Sequence, residues 1–137
     1  MDDLNAKPVH GDQAAAIVPA DVPVIDWNVI EELKAVMQDD SSEFVQEMFD
    51  LYARETPPLI ESVQKAVSEN SAYDLRLYAH SLKGSSNSLG ALRVGKLGAH
   101  LEGIGKAKTT EGAAQLLPDL DKEFQSFLQA FRQAGFK

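Results

Sequence analysis

Cysteine is absent from this chain of 137 residues. Its absence excludes disulfide bonds, thiolate metal sites and a cysteine nucleophile. Long apolar runs are also missing, since no stretch approaches the roughly 18 consecutive apolar residues that a membrane span requires. The chain begins Met-Asp-Asp, which lacks the basic and then apolar order of a secretory signal peptide. We therefore expect a cytoplasmic protein with no membrane contact in this segment.

Positive charge is scarce as well. The chain has 13 Lys and Arg residues against 21 Asp and Glu residues, which gives a formal net charge of −8. A surface of this sign repels the phosphate backbone of nucleic acids and anionic lipid headgroups. We therefore expect protein partners and no nucleic acid.

Strand-like alternation of apolar and polar residues does not occur in any segment. Apolar residues instead recur every three or four positions, most regularly over residues 113–131, which is typical of amphipathic helices. The chain is 44% hydrophobic, which suffices for one core. We predict an all-α domain over residues 24–137, an antiparallel up-and-down four-helix bundle with an additional short N-terminal helix. Residues 1–23 are predicted to be a flexible tail or linker.

Capping and breaking residues set the bounds of the first two helices. Asp26 is a candidate N-cap for the short leading helix, which we place over residues 27–38. The second helical stripe contains Pro57 and Pro58, and proline inside a helix removes a hydrogen bond and clashes with the preceding turn. The pattern therefore allows one kinked helix or two helices that meet near Thr56.

Glycines mark the next two helices. Asn70 or Ser71 can cap the third helix, and Gly90 ends it, because glycine tolerates the left-handed conformation after a helix. The fourth helix contains Gly95 and Gly98, and each should destabilise it by about 1 kcal/mol relative to alanine. We favour close packing against another helix over a ligand contact as the reason for these two glycines.

A helical wheel places His80 outside the core face of the third helix. At about 100° per residue, the positions that share the core face are Leu75, Tyr78, Ala79, Leu82, Ser86 and Leu89. His80 lies about 150° from the centre of that arc. Its neighbours on the solvent side are Tyr73, Arg76, Leu77, Lys83, Gly84 and Asn87.

The residues beside His80 suit a nucleophilic imidazole. Such a group must be neutral and sterically open, and an imidazole exposed to water is mostly neutral at cytoplasmic pH. Lys83, one turn on, can donate a charge-assisted hydrogen bond to a phosphoryl group carried by His80. Gly84 leaves room for another protein to close over the imidazole, and glycine at mid-helix otherwise only lowers stability. We predict His80 as a phosphoacceptor with Lys83 and Gly84 as supporting residues.

The run Ala79-His80-Ser81-Leu82-Lys83-Gly84-Ser85-Ser86, with Leu89-Gly90-Ala91 and later Leu101-Glu102, resembles the histidine-containing phosphotransfer domain family. The resemblance covers about residues 26–131 and implies a four-helix bundle with an extra N-terminal helix. It implies that His80 accepts a phosphoryl group from a receiver-domain aspartate and passes it to another in a two-component phosphorelay. We expect no ATP-dependent kinase activity, no metal and no cofactor of the chain's own, with Mg²⁺ in the partner receiver domain.

The expected partners are receiver domains of response regulators or of a hybrid histidine kinase, and a monomer is the simplest state. We assign the docking face to Tyr73, Arg76, Leu77, Lys83, Gly84, Asn87, Arg93 and Lys96, although Arg93 and Lys96 could equally be solvated surface. One alternative is a docking module that binds a receiver without accepting phosphate. Another is a domain with its own kinase or phosphatase activity, against which the lack of a nucleotide-binding signature counts. The sequence suits a free-standing protein or a terminal domain of a hybrid kinase.

Overall fold

The computed structural model describes residues 17–38 and 42–136. These residues form five α-helices and no strand, and a short 3₁₀ turn at Ala114–Leu116 leads into the last helix. The helices are α1 (Trp27–Val36), α2 (Glu43–Ser68), α3 (Ala72–Ser88), α4 (Leu92–Lys106) and α5 (Leu117–Gln133). None of them is both long and apolar enough to cross a membrane. The predicted all-α bundle with a short N-terminal helix is confirmed.

Local side-chain chemistry defines the ends of α1 and α3. The Asp26 carboxylate accepts a hydrogen bond from the Asn28 backbone N–H at 3.0 Å, which caps α1 as predicted. Ser71 is the N-cap of α3, and its hydroxyl accepts from the Asp74 N–H at 3.3 Å. Gly90 follows α3 with a φ of +77°, and its carbonyl accepts from the Asp26 N–H at 2.8 Å. The turn after α3 therefore also anchors the start of α1.

The second helix continues through Pro57 and Pro58 without interruption, which decides between the two alternatives for this segment. Two prolines in a helix interior destabilise it by several kcal/mol. Packing on both sides of them offsets this, since Thr56 before the prolines and Ile60 and Val63 after them are all buried. The core contacts thus hold α2 together.

Aromatic side chains of α2 and α5 form one part of the core. Phe49 stacks on Phe131 with ring centroids 4.6 Å apart, and Tyr52 packs edge-on against Phe127 at 5.3 Å. Trp27 of α1 lies 5.8 Å from Phe131. We call α1, α2 and α5, which these rings join, the aromatic half of the bundle.

Glycines form the contact between α3 and α4, which we call the glycine-lined pair. Gly95, Gly98 and Gly105 of α4 all face α3. A Cβ atom at Gly98 would lie 3.0 Å from the Lys83 backbone nitrogen, and one at Gly105 would lie 2.6 Å from that of Arg76. The two helices therefore touch backbone to backbone, which confirms the packing interpretation of the helix-α4 glycines.

Residues 17–23, which the sequence analysis places in a flexible tail, pack against the bundle. Val18 is completely buried in the core. The Arg93 guanidinium donates hydrogen bonds to the carbonyls of Pro19 and Val22, both at 2.9 Å. The packed domain therefore begins before residue 24, where the sequence analysis placed its start, because Val18 is buried in the core and Arg93 binds the carbonyls of this segment. The rest of the predicted tail lies outside the described residues.

Candidate functional site

His80 lies on the solvent side of α3, and 65% of its side chain is exposed. The core-facing side of the same helix is buried as the wheel predicted, with Tyr78 only half-buried and Leu75, Ala79, Leu82, Ser86 and Leu89 fully buried. The apolar packing of that face fixes the rotation of α3 about its axis. It thereby keeps the imidazole at the surface.

A buried carboxylate holds the imidazole from the neighbouring helix. Glu102 of α4 is only 5% exposed. Its Oε2 lies 2.8 Å from His80 Nδ1, and its Oε1 lies 2.6 Å from Lys83 Nζ. One carboxylate therefore connects the predicted phosphoacceptor with the predicted supporting lysine.

The position of Glu102 follows from the glycines around it. Gly95, Gly98, Glu102 and Gly105 succeed one another at intervals of three, four and three residues, so they share one face of α4. That face lies against α3, with Gly98 against the Lys83 backbone. Because the helices approach so closely, the short side chain of Glu102 reaches α3 without leaving the interface.

Glu102 is ionised at neutral pH. The hydrogen bond from Lys83 is the largest influence and lowers the pKa of Glu102, while burial of the carboxyl group raises it. The hydrogen bond from His80 and the charges of Lys83 and Lys106 lower it further, and the resulting pKa is about 2. Lys106 Nζ lies 3.8 Å from Oε2.

The ionised carboxylate determines which ring nitrogen of His80 carries the proton. A carboxylate only accepts hydrogen bonds, so Nδ1 must donate, and in a neutral imidazole the lone pair then lies on Nε2. Nε2 has no hydrogen-bond partner in the part of the chain that the structure describes. The arrangement therefore presents a nucleophilic nitrogen toward solvent, and Glu102 can stabilise the positive charge that the ring gains when Nε2 forms a bond.

Gly84 has no packing reason to be glycine. A Cβ atom at this position would meet nothing within 4 Å, whereas one at Gly98 or Gly105 would contact α3 closely. Gly84 follows His80 by four residues, so the space it leaves lies beside the imidazole. The approach of another protein to this space stays a prediction.

Most of the predicted docking residues surround His80 on one helix. Tyr73 and Leu77 are large apolar groups exposed to solvent on α3, and Arg76 is exposed between them. Asn87 is exposed near the end of α3, where its side chain lies against α4. Lys96 is exposed on α4. Their role in binding stays a prediction.

Arg93, unlike these residues, is bound within the chain and is not exposed for contact with a partner. Its Nε lies 3.0 Å from Glu123 Oε2, and its side chain is 14% exposed. Together with its bonds to the Pro19 and Val22 carbonyls, this ion pair fastens the N-terminal segment and α5 to α4. The structure thus corrects its assignment to the docking face and gives Arg93 a structural role.

An apolar groove of about 510 Å³ lies between α2 and α3, next to the site. Ser81 and Ser85 of α3 form part of its wall, and Leu51 is its large exposed apolar side chain. The remaining lining residues are Met48, Tyr52, Glu55, Thr56, Pro58, Leu59, Ser62, Ser88 and Leu89. No group of three His, Asp or Glu residues suited to a metal ion occurs in residues 17–38 and 42–136.

The sequence analysis gave neither Glu102 nor Lys106 a role of its own. A signal for Glu102 was present, because it is the one charged residue in a stripe of glycines on the packing face of α4. A charged group at a buried position requires a partner of opposite charge. The sequence did not indicate which cation on α3 that partner would be.

Fold and site together define a class of protein, an all-α bundle with a histidine that is exposed on the surface of a helix and held by a buried carboxylate. The family model described as the Hpt domain matches residues 47–134, which is more than half of the chain. This chain belongs to the Hpt domain family.

Three similar proteins are named for phosphotransfer or a phosphorelay. The chain is 33% identical over 98 residues to histidine-containing phosphotransfer protein 2 of Arabidopsis thaliana, covering 69% of this chain and 63% of that protein. Histidine-containing phosphotransfer protein 4 of the same plant is 32% identical, with 67% and 74% covered. Multistep phosphorelay regulator 1 of Schizosaccharomyces pombe is 28% identical, and the match spans 32% of its length.

Two solved structures share the fold. Histidine-containing phosphotransfer protein B from Pseudomonas aeruginosa PAO1 aligns with a TM-score of 0.72 and 26% identity, over 82% of this chain and 94% of that one. MtHPt2 from Medicago truncatula aligns with a TM-score of 0.65 and 22% identity, over 93% of each chain.

Proposed function

We propose that this chain accepts a phosphoryl group on Nε2 of His80 from a receiver-domain aspartate and passes it to the aspartate of another receiver in a two-component phosphorelay. The observation that carries the proposal is the 2.8 Å contact between His80 Nδ1 and the ionised Glu102, which leaves Nε2 as an exposed nucleophile. Membership of the Hpt domain family and the names of the phosphotransfer relatives support it.

The transfer step follows from the proton on Nδ1. The Nε2 lone pair attacks phosphorus in line, the N–P bond forms, and the bond from phosphorus to the aspartyl oxygen breaks. The receiver carboxylate leaves with that electron pair, and no proton has to move, because Nδ1–H stays on the ring. Glu102 stabilises the resulting positive ring, and return transfer reverses each step.

The chain itself contributes a nucleophile and a docking surface. Mg²⁺ is expected in the receiver, so most of the electrostatic stabilisation of the phosphoryl group comes from the partner, and this chain contributes mainly by positioning the imidazole. Tyr73, Leu77 and the apolar groove beside Ser81 offer a contact surface for that partner. We propose a monomeric, cytoplasmic phosphocarrier without a cofactor or ATP-dependent kinase activity of its own.

The first test is transfer of label from a phosphorylated receiver domain with Mg²⁺. We expect label on the wild type that is labile in acid and stable in alkali, and none on His80→Gln. The free energy of unfolding of His80→Gln should stay within about 0.5 kcal/mol of wild type, because the side chain is mostly exposed. His100→Gln is the matched control, because it removes another exposed histidine, on α4, and the variant should still be labelled on His80.

Other outcomes of that test would contradict the proposal. Binding of several receivers without any labelling would favour a docking module. Labelling of the chain by ATP alone would indicate kinase activity. A large loss of stability in His80→Gln would contradict an exposed nucleophile.

Gly84 provides a test of partner approach. We expect Gly84→Gln to slow transfer from the receiver, because a long side chain would fill the space beside the imidazole. Gly84→Ala is the control, which should stabilise α3 by up to about 1 kcal/mol and affect transfer much less. Equal transfer rates for wild type and Gly84→Gln would remove this explanation of the glycine.

A further inference from the structure

The two lysines near Glu102 are held very differently. Lys83 Nζ lies 2.6 Å from Oε1, and its side chain is 31% exposed. Withdrawal of this ammonium would leave a nearly buried carboxylate without its closest cation, which is strongly unfavourable. Lys83 is therefore committed to Glu102, although the sequence analysis assigned it to the phosphoryl group.

Lys106 is not committed in this way. Its Nζ lies 3.8 Å from Glu102 Oε2, beyond hydrogen-bond distance, and its side chain is 61% exposed. The oxygen that it approaches is the one that accepts the hydrogen bond from His80 Nδ1. An ammonium on a flexible four-carbon stem can therefore move from beside the ring to a group carried by the ring.

The fold places Lys106 at this distance. Gly105 brings the end of α4 against the Arg76 backbone, one turn before His80 on α3. Lys106 follows Gly105 and stands one turn beyond Glu102 on α4. Arg76 is also exposed near the site, but no ion pair joins it to Glu102 among the described residues.

We propose that Lys106, rather than Lys83, binds the phosphoryl oxygens of phosphorylated His80, while Lys83 serves as a positioning residue that fixes Glu102 and, through it, the ring. The inference rests on the proposed function. When the bond between Nε2 and phosphorus forms, Lys106 turns from Oε2 to a phosphoryl oxygen, and Nδ1–H remains bonded to Oε2. Each negative group then has its own cationic donor.

A purely structural role is the competing explanation for Lys106. A cation in the last turn of a helix interacts favourably with the negative end of the helix dipole. Removal of Lys106 would then lower the stability of α4 and leave the chemistry at His80 unchanged.

The test uses phosphoramidate as the phosphodonor, so that no receiver surface takes part. The bond from its nitrogen to phosphorus breaks, ammonia leaves, and phosphohistidine forms on the full chain. The rate of formation and the lifetime of phosphohistidine are followed by ³¹P NMR in wild type, Lys106→Gln, Lys106→Arg and Lys83→Gln. Lys108→Gln is the matched control, because it removes the same charge from an exposed lysine two residues away.

We expect Lys106→Gln to phosphorylate about tenfold more slowly, which is the effect of one charge-assisted hydrogen bond, and Lys106→Arg to recover most of that rate. The ¹⁵N shifts of unphosphorylated His80 should keep the Nδ1–H tautomer in Lys106→Gln and change in Lys83→Gln. Lys108→Gln should behave as wild type does.

Three outcomes would overturn the inference. Equal rates and lifetimes in wild type and Lys106→Gln would do so and leave the proposed function intact. A changed tautomer in Lys106→Gln would show that Lys106 positions the ring instead. If phosphoramidate does not phosphorylate the wild type, a phosphorylated receiver domain serves as the donor, and equal transfer rates in wild type and Lys106→Gln would then overturn the inference.

Discussion

The two parts of this bundle are built on opposite principles. In the aromatic half, Phe49, Phe127 and Phe131 fill the space between α2 and α5 with stacked and tilted rings. In the glycine-lined pair, side chains are missing at the contact, and α4 touches the backbone of α3. The first arrangement buries large apolar surfaces, and the second brings two charged helix faces within reach of one another.

The aromatic half contains the largest buried side chains, whereas the residues around His80 lie in the glycine-lined pair. Packed helices usually lie 8–10 Å apart, roughly the distance that medium-sized side chains require. The glycines let α4 come close enough to α3 for Glu102 to contact both His80 and Lys83 while remaining buried. We infer that the aromatic half stabilises the fold and that the glycine-lined pair sets the distance between Glu102 and His80.

Phe127→Ala should cause the largest loss of stability and should leave the transfer rate unchanged. Phe127 is completely buried, so the truncation is expected to lower the free energy of unfolding by about 3–5 kcal/mol. Urea unfolding measures this loss, and transfer to His80 well below the melting temperature should keep its wild-type rate.

Phe127→Leu keeps most of the volume and serves as the milder variant if Phe127→Ala does not fold. A transfer rate that falls in folded Phe127→Leu would mean that the two parts of the bundle are not separable.

Gly105→Ala should affect both stability and the site. Its Cβ would lie 2.6 Å from the Arg76 nitrogen, so the helices must move apart, at a cost of about 1–3 kcal/mol that the better helix propensity of alanine offsets in part. We expect slower phosphorylation, because the contact between Glu102 and His80 lengthens. Thermal unfolding and phosphoramidate labelling measure the two effects.

Gly103→Ala is the matched control for that substitution. Gly103 lies on the same helix, and a Cβ there would meet nothing within 4 Å. Alanine should therefore stabilise α4 by about 1 kcal/mol and leave labelling unchanged. If both alanine variants behaved alike, close approach of the backbones would not be what the site depends on.

Glu102→Gln should have an effect that depends on pH. The pKa of Glu102 is lowered from 4.5 to about 2, first by its hydrogen bond from Lys83, so the folded protein favours the ionised form. The resulting stabilisation is fully present above about pH 5 and is lost as the pH falls through the folded pKa.

The difference in melting temperature between wild type and Glu102→Gln should therefore shrink as the pH falls from 5 toward 2. A difference that stayed the same down to pH 2 would contradict the ionised, lysine-paired carboxylate.

Local chemistry explains which features were predictable from the sequence. Asp26, Ser71 and Gly90 act through the backbone within a few residues of themselves, so their roles could be read without a partner helix. The exposure of His80 followed from the period of a single helix, and that prediction is confirmed.

The unpredicted features depend on contacts between distant segments. Glu102 meets His80 across 22 positions of sequence, and Arg93 meets the Val22 carbonyl across 71. The sequence could indicate that α4 packs closely, but it could not indicate the register in which α4 faces α3. The register decides that Lys83 pairs with Glu102 and that Arg93 faces inward.

The contact between Trp27 and Phe131 also supplies an optical signal. Trp27 is the single tryptophan of the chain and is 41% exposed at the edge of the aromatic half. Its fluorescence emission will therefore shift when α1 separates from α5, and it reports on that half rather than on the imidazole. Undocking of the first helix can thus be timed in a stopped-flow instrument without any label attached to the protein.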